Sequence, residues 1–178
     1  LDRSCLRMLK LVRLARNNIK PNATADYKKH HALSQRMAAE SIVLLRNEDA
    51  LLPLDGGKLR KIALVGAAAT EPVIQGSGCA TTRPTEVDIP LAEIRQMAPG
   101  ADVSFHAVSD FEAGSSTEAA ALAGIDGADV VLFFGNTEVG YDGEGSDRTH
   151  LNLHDGQDEL IERLSQRNGK LVVVLATP

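Results

Sequence analysis

Over residues 138–148 the sequence gathers Glu138, Asp142, Glu144 and Asp147 among Gly140, Gly143 and Gly145, with Arg148 the neighbouring cation. Clustered carboxylates on a glycine-rich stretch admit three readings: a solvated loop, a calcium site, or acid/base work on a substrate. Calcium fits least well, because the EF-hand register of acidic residues at alternate positions followed by glycine is not met. Glycosyl transfer is the acid/base chemistry that most needs such a loop, since one carboxylic acid must protonate the departing sugar oxygen while a second carboxylate attacks. Gly143 and Gly145 on either side of Glu144 would let the backbone approach a bulky ligand closely.

A second glycine-rich stretch, residues 66–86, contains Gln75, Gly76, Ser77, Gly78, Cys79 and Ala80. Gly76 and Gly78 could open a phosphate-binding turn. That reading fails, because Thr81 stands where the third glycine should be, the glycines lie well past the preceding apolar run, and no Walker lysine follows. Two readings remain for it, a structural loop of small polar residues or one wall of a polar small-molecule site. Cys5 and Cys79 have no paired spacing that would make a metal clip or disulfide framework, so they read as ordinary thiols. His31, His106 and His150 read as structural or surface residues rather than catalytic ones.

The elements that must position these loops are legible in the apolar pattern. Four short runs, over residues 62–65, 103–108, 130–134 and 171–175, alternate with helical patterns near 91–97, 116–123 and 156–166. Three of the four runs are continuous, the pattern of strands covered on both faces, so the expected fold is α/β, an open and mostly parallel sheet sandwiched by helices. In such a sheet ligands bind outside the carboxyl ends of the strands, where the glycine-rich stretches begin. Upstream, residues 1–16 form an amphipathic helix and 17–25 a linker. Asp26 is positioned to cap a second helix from Tyr27 to Arg46, whose apolar second half is expected to be buried. The basic stripe Arg3, Arg7, Lys10, Arg13 and Arg16 reads as a solvated face, since the helix is short and has no aromatic anchors for a membrane surface.

Composition excludes several classes. The 178 residues carry 19 Lys plus Arg against 24 Asp plus Glu, a net charge of -5, so no broad basic surface exists for nucleic acid. No apolar run approaches the ~20 residues that span a bilayer. Hydrophobic residues make up 43% and charged ones 24%, which excludes disorder. The chain opens on Leu1 and stops at Pro178 directly after an apolar run, and reads as a segment of a longer protein.

Two separated motifs carry a family resemblance. The stretch from His31 through Ser34, Gln35, Arg36, Met37, Glu40 and Ser41 to Leu45, Arg46, Asn47 and Glu48, followed by Leu51, Leu52, Pro53 and Leu54 and then by residues 61–66, closely resembles the opening of the second domain of glycoside hydrolase family 3. The stretch Gly143, Glu144, Gly145, Ser146, Asp147, Arg148, with Leu151, Leu153, Gln157, Asp158 and Glu159 after it, resembles the same family's acid/base loop and following helix. The resemblance covers essentially the whole chain. His154 stands where the family commonly has proline, and Cys79 where serine or alanine is usual.

The resemblance implies a β-glucosidase-type retaining hydrolase built from a barrel and an α/β sandwich, with the active site between them. It implies a terminal barrel helix over 1–17, a linker over 18–26, and the sandwich domain, truncated at its C-terminus, over 27–178. Glu144 matches the family's general acid/base. Glu138, Ser77 and Gly78 match positions near the substrate, and Asp147 and Arg148 match loop architecture. The implied partners are a β-linked glycoside or oligosaccharide and the barrel domain of the same protein, with no metal or organic cofactor. The nucleophilic aspartate would lie in the barrel, so this segment alone is expected to be inactive. The alternative is a non-catalytic carbohydrate-binding or scaffold α/β domain.

Overall fold

A computed structural model describes residues 1–76, 78–137, 145 and 150–177. The chain divides into two compact units, Leu1–Val43 and Leu44–Pro178.

The first unit holds α1 (Asp2–Asn17) and α2 (Tyr27–Ser41). Asp26 caps α2 as its residue type requires, its carboxylate accepting from Lys29 N–H at 3.0 Å. The helix expected to reach Arg46 stops at Ser41: Ile42 is already extended (φ -69, ψ 129). Its second half is not buried either. Ile42 is 78% exposed and Leu45 85%. A β-branched pair, Ile42 and Val43, follows Ser41, whose hydroxyl turns back to the Met37 carbonyl at 2.7 Å. Helical spacing of apolar residues is therefore no guide to where this helix ends.

The second unit is the α/β fold expected from the four runs. Strands β1 (Lys61–Val65), β2 (Asp102–His106), β3 (Val130–Asn136) and β4 (Leu171–Ala176) form one sheet in the order β2-β1-β3-β4. All three pairings are parallel. Helices α3 (Pro90–Met97), α4 (Ser116–Gly124) and α5 (Gln157–Arg167) make the crossovers. Period-two alternation divides the strands between two cores. Ala63, Val65, Val131 and Phe133 face α4 and α5 with Ala121, Leu160 and Leu164, whereas Ile62, Leu64, Val130 and Leu132 face α3 with Leu91. Helices thus lie on both faces, as right-handed crossovers running in opposite directions from the sheet centre require.

Central β1 and β3 are buried almost throughout, which explains their uninterrupted apolar runs. The run at β4 is equally apolar, yet β4 is an edge strand with Val173, Val174 and Leu175 exposed. β2 alternates because its two faces differ: Val103 and Phe105 join the α3 core, while the His106 ring lies against Gly124 of α4, where a Cβ would overlap the ring unless it moved. α4 and α5 are joined by a partly buried ion pair, Arg163 to the buried Glu118, and Arg163 also donates to the Phe111 carbonyl at 3.3 Å.

Candidate functional site

Strand order sets where a ligand can meet this sheet. The chain steps from β1 to one side through α3 and from β3 to the other side through α5, so connections diverge between these two neighbours. A crevice opens outside the carboxyl ends of strands at such a reversal. Both glycine-rich stretches leave from here. Val65, the last residue of β1, pairs with Phe133 of β3, and β3 continues to Asn136.

Gly66 begins the first loop with φ +100 and ψ 140, a conformation that is essentially glycine's alone. A Cβ there would collide with the Phe134 carbonyl oxygen. Gln75 closes the loop on itself. Its amide accepts from Thr82 N–H at 2.9 Å and from the Thr82 hydroxyl at 2.7 Å, and donates to the Thr82 carbonyl at 3.1 Å. Inside this clasp Gly78 opens a 3-10 turn with φ +64, exposed, with nothing near where a Cβ would stand. Ser77 lies outside the described residues.

The second loop leaves after Thr137 and returns at His150. Glu138, Glu144, Asp147 and Arg148 lie outside the described residues. Gly145, exposed, has φ +96, which costs glycine nothing. The two limbs are fastened by the first turn of α5. Gln157, 6% exposed, accepts from Asn136 N–H at 3.2 Å and donates to the Asn136 carbonyl at 2.9 Å and the His154 carbonyl at 3.0 Å. Asp158 accepts from Leu153 N–H at 3.0 Å. Gly156, in the left-handed conformation at φ +79, turns the returning chain into α5, whose first turn carries Asp158 and Glu159 at the positive end of the helix dipole.

The two glutamine clasps were not legible as such. Gln75 and Gln157 stood out in the sequence only as members of their motifs; the partner of Gln75 is Thr82 in the same loop, and for Gln157 the chief one is 21 residues away. His106 holds Ser104 through its Nε2 at 3.1 Å, and burial, aided by the charge of Lys61, keeps its pKa below the usual 6.5. His150 is exposed and His31 lies on α2. Cys5 and Cys79 are exposed free thiols. Among the described residues no helix is long and apolar enough to cross a membrane.

Two carboxylates with lowered pKa, Asp126 and Asp129, lie toward the amino ends of the central strands, Asp129 immediately before β3. Asp129 accepts from the backbone N–H of Arg60 at 2.6 Å and of Lys61 at 2.9 Å, and these bonds hold its carboxyl below the usual carboxylate range. Asp126 is held down by the Arg167 guanidinium, which reaches it with two bonds of 2.7 and 2.5 Å. A shallow depression of about 310 Å³, lined by Leu51, Pro53, Asp55, Lys58, Asp129 and Lys170, lies there too. Both carboxylates lining it are engaged, Asp129 with backbone N–H groups and Asp55 with the Lys58 ammonium at 3.0 Å and Gly57 N–H at 3.1 Å.

A parallel sheet wound in both directions from its centre, with the starts of both glycine-rich loops at the point of reversal, defines an open doubly wound α/β domain. Residues 42–178 match the Glycosyl hydrolase family 3 C-terminal domain. The chain belongs to glycosyl hydrolase family 3, and the resemblance drawn from its two motifs is borne out. It is 37% identical over 184 residues to the thermostable beta-glucosidase B of Acetivibrio thermocellus, covering 98% of this chain and 23% of that protein. Against the exo-alpha-(1->6)-L-arabinopyranosidase of Bifidobacterium longum the identity is 33% over 185 residues, with 99% and 24% covered. The solved GH3 beta-glucosidase of Bifidobacterium adolescentis superposes with a TM-score of 0.78 at 30% identity, covering 94% of this chain and 25% of that one. The chain spans about a quarter of the length of these relatives.

Proposed function

We propose that this chain is the acid/base half of a retaining β-glycosidase of β-glucosidase type acting on terminal non-reducing β-D-glycosyl residues. Glu144 is its proton donor, and the nucleophile is an aspartate in a barrel domain of the same protein. Residues 1–17 close that barrel, 18–26 link it, and 27–178 begin the α/β sandwich. The observation that carries the reading is the pairing of Val65 with Phe133, which brings the starts of the two glycine-rich loops side by side where the sheet reverses. Family membership and relatives named as glycosidases support it.

The chemistry follows from what a glycosidic bond requires. Glu144 as the acid gives its proton to the glycosidic oxygen while the aspartate attacks the anomeric carbon; the carbon–oxygen bond breaks, the aglycone leaves as an alcohol, and a glycosyl ester remains. Glu144, now a carboxylate, takes a proton from water as its oxygen attacks the same carbon, and the aspartate is released. Glu138, Ser77 and Gly78 belong to the walls of the sugar site. No metal or organic cofactor enters either step.

A general acid matters most when the leaving group is poor. The whole protein and its Glu144→Ala variant are compared on an alkyl and a dinitrophenyl β-glucoside. The expected loss in kcat/KM is about 10²–10⁴-fold on the alkyl substrate and far smaller on the activated one. Equal rates of variant and parent on both would remove Glu144 from the chemistry and leave Glu138, or a non-catalytic carbohydrate-binding domain, as the account.

A further inference from the structure

The strands at the site have unequal lengths. β1 ends at Val65, opposite Phe133, while β3 runs on to Asn136, so Asn136 has no β1 residue beside it. On its other side β3 is still paired: Asn136 lies against Ala176, and Thr137 N–H donates to the Ala176 carbonyl at 3.4 Å. The backbone N–H and C=O of Asn136 therefore need partners from elsewhere. The Gln157 amide supplies both, as the peptide group of a neighbouring strand would, and its remaining donor goes to His154. Position 135 is glycine beside it, and a Cβ there would come within 3.0 Å of the Gln157 Oε1 and 2.7 Å of a Phe133 ring carbon. Gln157 thus fills a space that Gly135 leaves open.

We propose that Gln157 is the positioning residue of the acidic loop: one buried amide fixes both the strand end from which residues 138–149 depart and the turn at which they return. This rests on the proposed role of Glu144. The bonds of this amide are all used in joining the two ends, so its loss leaves two backbone groups of Asn136 without these partners at the last residues before the loop. A carboxylic acid that must meet one glycosidic oxygen is sensitive to such a shift, since a displacement of about 1 Å can cost about 10²-fold in rate. Binding of the sugar through other walls is affected less.

The test uses the whole protein with Gln157→Leu, which keeps bulk and removes all three bonds, and Gln157→Glu, which keeps the acceptor for Asn136 N–H and removes the donors. The expected result is a loss of about 10²-fold in kcat/KM on the alkyl β-glucoside, a much smaller loss on the dinitrophenyl one, and KM little changed, with Gln157→Glu between Gln157→Leu and the parent. If Gln157→Leu does not fold, Gln157→Glu decides alone by the same leaving-group comparison. Equal losses on both substrates, or a fall in melting temperature with leaving-group dependence unchanged, would reduce Gln157 to a structural clasp and overturn the proposal. Glu144→Ala in the same assay separates the two ideas. If it shows leaving-group dependence and the Gln157 variants do not, only the positioning role fails; if it shows none, the acid/base reading itself fails.

Discussion

Single residues at the carboxyl ends of β1 and β3 set where the two glycine-rich loops begin. Gly66 is the sharpest case, because its backbone occupies a region closed to other residues and its α-carbon passes against the Phe134 carbonyl. Gly66→Ala is expected to cost ~3 kcal/mol or more, combining the backbone strain with displacement of β3, and urea unfolding of the chain measures it. A cost under about 1 kcal/mol would mean that the strand end yields easily and cannot hold either loop. This glycine was visible in the sequence only as the residue after an apolar run. What demands it is a neighbour 68 positions away, and no local pattern records such a contact.

Legibility at the scale of elements follows burial. Ile62 to Val65 and Val130 to Phe133 are enclosed on both faces and have uninterrupted apolar sequences, so their strands could be read directly. β4 has the same kind of sequence at the sheet's edge, and its exposure could not be read from it. The end of α2 was misread because the apolar spacing of Leu33, Met37, Leu44 and Leu45 continues past Ser41 although the helix does not. Titration tests the sheet as a unit. His106 has a folded pKa below its unfolded 6.5, so its contribution is full above that value and is lost as pH falls through the folded one. Asp126 and Asp129, lowered from 3.8, contribute above that value and lose it as pH falls further. Stability is therefore expected to decline in two stages on acidification, and His106→Gln to remove the first. Urea midpoints from about pH 7 to about pH 5 follow that first stage; an unchanged profile in His106→Gln would assign it to other groups.

For the whole molecule, the proposed reading makes this chain one part of a site. Two carboxyl groups about 5–5.5 Å apart are needed for a retaining displacement, and the proposed partner of Glu144 lies in another domain. Residues 1–178 alone are expected to give no hydrolysis of aryl β-glucosides above the buffer rate, whereas the whole protein turns them over. Measurable turnover by the segment would place both carboxylates within it and return Glu138 and Asp142 to consideration.

The most direct measurement is the product formed by Glu144→Ala in the whole protein on dinitrophenyl β-glucoside with azide present. With the base missing, the glycosyl ester should accumulate and be captured by the small anion, which needs no deprotonation. The account predicts a glycosyl azide of β configuration and faster turnover as azide rises. An α-glycosyl azide, or parental hydrolysis with no azide adduct, would contradict it.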